Sequence, residues 1–197
     1  MLDEDIYTWF AEHHKKDLFT FPEIPPFNNI FFERFTQQNA IELYRLFQND
    51  NSPFVDERFK GLDEANDYAK HLDVCGAYSA KHGSADWLFR FKDGDYIGVL
   101  HLYDLSLETF AQNHKRAWIG FATKETFRRK GITSKVVRYF IQTLFDYYPA
   151  VDFIYAMTDK KNAETSAFLY NYGFHFDPAE RLSQEDNFYL LTRPTLS

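Results

Sequence analysis

The chain has a single cysteine, Cys75, no apolar run near the ~18 residues that a membrane-spanning helix needs, fewer cations than anions and only 8 glycines. A lone thiol excludes an intramolecular disulfide framework and disfavours a structural zinc site, so a reducing compartment is expected. Without a long apolar run there is no candidate spanning helix and no membrane partner is expected. The first residues, MLDEDIYTWF, are acidic where a secretory leader is basic, so a cytoplasmic location is expected. Lys and Arg total 22 against 29 Asp and Glu, a formal charge of -7. That balance argues against broad neutralisation of phosphates, and no nucleic-acid partner is expected. The glycines stand neither in the Walker arrangement nor in the three-glycine dinucleotide fingerprint, which disfavours ATP and NAD sites of those types.

Apolar and aromatic residues, by contrast, are plentiful. Hydrophobic residues make up 45% and aromatics 19%, with 22 Phe and 13 Tyr, ample material for a packed interior. At 197 residues the chain is expected to form one domain, over residues 30–197. An arm, residues 1–29, precedes it and ends in the proline-broken FPEIPPFNN. No internal repeat or low-complexity segment interrupts it.

IFFERF (30–35) reads as a strand; Thr36 then opens a helix with Ala40, Leu43, Tyr44 and Phe47 at helical spacing. Ala65, Tyr68, Ala69 and Leu72 mark a second helix. ADWLFRFK (85–92) and DYIGVLHLYDL (95–105) read as strands joined by a tight hairpin at Asp93-Gly94 with left-handed turn positions. RAWIGFAT (116–123) is a strand. Val136, Val137, Phe140, Ile141, Leu144, Phe145 and Tyr148 form a helical stripe closed by Pro149. VDFIYAMT (151–158) is a strand apolar enough to be buried on both faces, NAETSAFLYNYGF (162–174) a helix ending at Gly173, and NFYLLTR (187–193) the last strand. The strand-helix-strand succession from 116 to 158 requires parallel neighbours and a crossover, while the hairpin requires antiparallel ones. The expected fold is therefore α/β (α+β): a mixed, mostly antiparallel sheet with one parallel β-α-β unit and helices on both faces.

The chemistry gathers where strand 116–123 turns into the helix. FRRKGITSK puts Arg128, Arg129 and Lys130 ahead of Gly131 at a helix N-terminus, where unpaired backbone N–H groups and the helix dipole attract anions. Such a turn is built to receive a phosphate or pyrophosphate.

Arg128-Arg129-Lys130-Gly131-Ile132-Thr133 resembles the acyl-CoA turn of the GNAT N-acetyltransferase superfamily, Gln/Arg-x-x-Gly-x-Gly/Ala, with Thr133 as the departure. Asn162, Thr165, Gly173 and Phe174 resemble that superfamily's Asn-x-x-Ser/Ala … Gly-Phe helix, in the same order. FFERFTQQNAIELYRLFQND and GLDEANDYAKHL resemble the first strand and paired helices of its Rim-like branch, so the likeness runs over about residues 30–193. It implies acetyl-CoA as cofactor, in a gap between two splayed strands. Phe121, Ala122 and Thr123 would face the pantetheine, residues 128–133 the pyrophosphate, and Asn162 with Ser166 the far side. Asn162 also has the chemistry to cap its helix.

Direct acyl transfer needs a deprotonated amine and a proton for the departing thiolate. The resemblance implies a tyrosine acid on the last helix; alignment puts Leu169 there, with Tyr170 one residue on, rotated ~100°. Tyr170 is the candidate acid, with Ser166 or water as alternatives. Glu125, beside the turn, is the first candidate base, followed by His101, Asp104 and His114. The expected acceptor is a primary amine, either a small amine or a peptide N-terminus, and net negative charge favours a cationic one. Two other readings stand beside it: a CoA-binding or partner-binding module without turnover, and a structural role in which the arm docks on another subunit, as in a homodimer.

Overall fold

The Asp93-Gly94 pair sets the first register. The structure, a computed structural model, describes residues 21–75, 82–106, 116–178 and 185–194. In it β2 (His82–Phe91) and β3 (Tyr96–Ser106) pair antiparallel across this turn. The turn is longer than the tight one predicted. Phe91 N donates to Asp95 O at 3.0 Å and Gly94 N to Phe91 O at 3.1 Å, and of the pair only Gly94 is left-handed, at φ 107°. A three-residue loop closed by a left-handed glycine needs one such position rather than two.

Further strands add on both sides of this hairpin. They are β1 (Ile30–Arg34), β4 (Arg116–Thr123), β5 (Phe153–Asp159), β6 (His175–Phe176) and β7 (Asp186–Thr192). The order is β1-β2-β3-β4-β5-β7-β6, antiparallel throughout except for β4 beside β5. β6 has no counterpart in the sequence reading, because two residues are too few for alternation to register.

Side-chain alternation along β2 divides the core. Trp87 and Phe89 point to one face, where α3 (Ile132–Tyr147) and α4 (Ala163–Tyr172) pack; Leu88 points to the other, under α1 (Ala40–Phe47) and α2 (Leu62–Cys75). The predicted stripe of α3 is buried along its whole length, from Val136 to Tyr148. Arg193 closes its C-terminus, donating to the carbonyls of Phe145, Tyr148 and Val151 at 2.9, 2.6 and 2.8 Å. Thr36 caps the short 3-10 turn ahead of α1. Ile24 is buried in the α3-side core and Phe27 stacks on Tyr139, while residues 1–20 of the arm, with the aromatic Trp9, Phe10 and Phe19 by which it would dock on another subunit, lie outside the described residues.

One glycine of β3 is fixed by space. A Cβ on Gly98 would meet Ala122 O at 2.2 Å and Phe89 Cζ at 2.7 Å. Gly98→Ala is therefore expected to lower stability by about 1–3 kcal/mol through forced displacement of β4. Urea unfolding followed by circular dichroism checks this; an unchanged midpoint would show that β4 absorbs the methyl without cost.

Candidate functional site

β4 and β5 pair in parallel only where Arg116–Ile119 face Phe153–Ala156. Beyond Ile119, β4 keeps β3 on one side and has no strand on the other among the described residues; beyond Ala156, β5 continues against β7 alone among them. The strands part into a wedge with an open edge on each wall. Backbone polar groups there are left for another partner.

The turn stands at the end of the wedge. A 3-10 turn, Glu125–Phe127, leads to Arg128 in extended backbone, Arg129 at φ 60° and Gly131 at φ 73° as the N-cap of α3. Gly131 offers no side-chain cap, and the position of a Cβ on it has nothing within 4 Å. The glycine serves backbone conformation, and it keeps the first N–H groups of α3 open to the cleft. Thr133, the departure from the pattern, is bonded through Oγ1 to Thr123 Oγ1 at 2.8 Å, tying the strand end to the helix start.

A cleft of about 570 Å³ brings together Phe121, Ala122, Thr123, Arg128, Arg129, Gly131, Thr133 and Asn162. Three other predicted residues lie elsewhere. Lys130 is exposed, with its ammonium 5.5 Å from the Phe127 ring centroid; Ile132 packs on the core; Ser166 has a buried Oγ that does not reach the cleft. Each of the two arginines has a carboxylate partner. Arg128 is ion-paired with the buried Asp50 and donates to Thr123 O at 2.9 Å; Arg129 spans the mouth to Glu164 on α4. Asn162 Oδ1 accepts from Thr165 N at 3.1 Å, so it caps α4 while lining the cleft.

The proposed acid and base are not drawn into the cleft. Tyr170 is 71% exposed and turned to solvent, because α4 buries Leu169, one residue before it. Glu125 is exposed on the 3-10 turn and lines neither this cleft nor the cavity beside it. His114 and the side chain of Asp104 lie outside the described residues.

On the other side of the wedge lies a second cavity of about 660 Å³. The two share Phe54, Val55, Phe121, Ala122, Asn162 and Thr165, so they communicate through the wedge. The second holds His101, whose Nδ1 lies 2.7 Å from Asp86 Oδ2, and Tyr68, whose hydroxyl donates to the same oxygen at 2.7 Å. Burial first, then the Asp86 charge, push the Tyr68 hydroxyl far up, so it remains a donor. Burial also works to raise Asp56, but hydrogen bonds from Arg58 outweigh it and hold that carboxyl below its usual range. Met157, expected to be buried, is 43% exposed in this cavity.

Sequence reading missed Asp86 and the Ser52–Val55 segment. Asp86 had a signal: it is a lone carboxylate in the apolar ADWLF, and it lies directly opposite His101 in the hairpin.

A family profile described as "Acetyltransferase (GNAT) domain" matches residues 29–175. No curated protein matches the chain. Among solved structures, RimL, a ribosomal L7/L12 alpha-N-protein acetyltransferase in complex with coenzyme A, superposes with TM-score 0.67 at 15% identity, over 86% of this chain and 97% of its own. The microcin C7 self-immunity acetyltransferase MccE, in complex with acetyl-CoA and AMP, gives 0.65 at 18%, over 87% and 99%. Spermidine N-acetyltransferase from Vibrio cholerae gives 0.62 at 12%, over 84% and 95%. At these identities the likeness is one of fold.

Proposed function

The chain belongs to the GNAT acetyltransferase family, and we propose that it is an acetyl-CoA-dependent N-acetyltransferase acting on a primary amine, a small amine or a peptide N-terminus, by direct attack in a ternary complex. The observation that carries this reading is the wedge between β4 and β5 with an anion-binding turn at its end. The residues present fit the cofactor. Open N–H groups at the start of α3, with Gly131 leaving their approach clear, suit a diphosphate, and Arg129 adds charge at the rim. The edge of β4 beyond Ile119, apart from Thr123 O, which Arg128 occupies, suits the amides of a pantetheine arm. Phe121 and Phe168, edge to face at 5.3 Å, make an apolar wall.

When bound, acetyl-CoA supplies an acetyl thioester. The chain's part is to hold the acceptor nitrogen on the opposite side of the wedge, keep water out and remove a proton. No enzyme nucleophile is required, because an amine attacks a thioester directly.

A second reading, a CoA-binding module without turnover, draws on the exposure of Tyr170 and the buried position of Ser166, which leave neither to protonate a thiolate. One experiment separates the two. CoA at about 100 times its dissociation constant is expected to stabilise the fold by about 2.7 kcal/mol, read as a rise in melting temperature. Acetyl-CoA with a panel of amines is then expected to release free thiol. A thermal shift without thiol release would favour the module; no shift at millimolar CoA would overturn both.

A further inference from the structure

We propose that His101, held by Asp86 in the cavity beside the CoA cleft, is the base that takes the acceptor's proton; this rests on the transferase reading above, which puts the acceptor in that cavity. The sequence places His101 on one strand face with Ile97, Val99 and Tyr103, the pattern of a packed, satisfied histidine. The structure divides that description between the two ring nitrogens. Nδ1 is satisfied by Asp86, whose side chain is 2% exposed, while Nε2 has no hydrogen-bond partner among the described residues, on a residue that lines the cavity.

The surroundings orient the ring. Asp86 stands opposite His101 in the β2–β3 register, so the hairpin itself sets their contact. Tyr68, reaching from α2, donates to the same carboxylate oxygen and fixes its position. Phe59 stacks on the imidazole at 5.4 Å and 19°. Gly120 on β4 leaves room for it, since a Cβ there would come within 3.2 Å of His101 Cδ2. A carboxylate on Nδ1–H fixes the tautomer that leaves a lone pair on Nε2, and it stabilises the imidazolium formed once a proton arrives. Other ionisable groups lining this cavity are Asp56, Arg58, His71, Tyr103, Asp159 and Asp186. Asp56 and Arg58 neutralise one another as an ion pair.

The protons balance as follows. The acceptor enters as an ammonium and gives one proton to His101 Nε2, which returns it to solvent. The freed electron pair forms the C–N bond as the C–S bond breaks. The surplus proton on the new amide nitrogen leaves for the thiolate through water, and the products are the N-acetylated amine and free thiol. Glu125, exposed on the 3-10 turn, has no place in this sequence.

His101→Gln is expected to lower kcat/KM at least ~100-fold, the scale of a lost general base, while leaving the CoA dissociation constant within about twofold. The acid limb of the parent's kcat/KM profile is expected to vanish in that variant. Asp86→Asn is expected to lower kcat/KM with the CoA dissociation constant unchanged, because the carboxylate that holds the ring with Nε2 toward the cavity is lost. Tyr68→Phe, which keeps the ring and removes one hydrogen bond that fixes Asp86, is expected to lower kcat/KM by a smaller factor and serves if Asp86→Asn folds poorly. A second readout needs no cofactor: the His101 imidazole resonance in the free protein is expected to move on titration with glycinamide or n-butylamine. A variant lacking His101 that keeps most of its kcat/KM and its acid limb would overturn the assignment. If CoA fails to bind the parent, the transferase reading falls, yet an amine-dependent imidazole shift would still support the acceptor site.

Discussion

Replacing Arg128 with Met is expected to lower the unfolding free energy by about 3 kcal/mol, whereas the same change at Arg129 is expected to cost under about 0.5 kcal/mol. The two residues are adjacent, carry the same charge and line the same cleft, but they hold different partners. Arg128 pairs with Asp50, whose side chain is 2% exposed, so its removal leaves a carboxylate in the interior without a counter-ion. The low end of the usual 3–5 kcal/mol is expected, since Arg128 is itself 30% exposed and water can follow into its place. Arg129 and Glu164 are 81% and 65% exposed, and a pair so well solvated contributes little to folding. For CoA the ranking reverses. Arg129 is released from Glu164 without structural cost, and its loss is expected to weaken binding about 5–10-fold, a loss of about 1–1.4 kcal/mol. Urea unfolding and calorimetric titration measure the two effects separately. Asp50→Asn combined with Arg128→Met is expected to recover part of the stability, because no charge is then left buried. Equal stability losses at the two arginines would refute this division.

That pair also marks where sequence reading stops. Local and periodic features were legible: the stripe from Val136 to Tyr148, the bounds of β4 and the left-handed Gly173 closing α4 all follow from one element's own residues. Asp50 and Arg128 are 78 residues apart, and nothing local to either one announces the other. The Asp86–His101 contact lies between these cases. Its register could be counted outward from the hairpin, but a register shift between Phe89 and Arg90 moves the pairing by one residue, and a slip of one puts a side chain on the opposite face. Tyr170 shows a different limit. Phe168, Leu169, Tyr170 and Tyr172 are all apolar or aromatic, so composition does not say which face of α4 is buried. Packing decides it, with Leu169 fully inside and Tyr170 out.

The strand that carries Asp86 is held from its other face, and Trp87→Ala is expected to cost about 3–5 kcal/mol. Trp87 is 2% exposed and meets Phe140 of α3 edge to face at 5.4 Å and Phe21 at 6.4 Å. The Arg34 guanidinium lies 4.9 Å from its ring centroid, and burial brings the Arg34 pKa down to about 10. Removing the indole therefore opens a cavity between sheet and helix and takes an aromatic partner from a cation already held out of water. For a domain of this size the loss corresponds to a fall of roughly 6–20 °C in melting temperature. Trp87→Phe, which keeps a ring against Phe140, is expected to lose less than half as much. Because Asp86 and Trp87 are neighbours on opposite faces of β2, the cavity is also expected to loosen the carboxylate behind His101. The alanine variant should then show a reduced kcat/KM at temperatures where it remains fully folded, while the phenylalanine variant stays near the parent. Equal kcat/KM in all three proteins would mean that Asp86 is positioned by Tyr68 and the β3 register alone, independently of the packing beneath it.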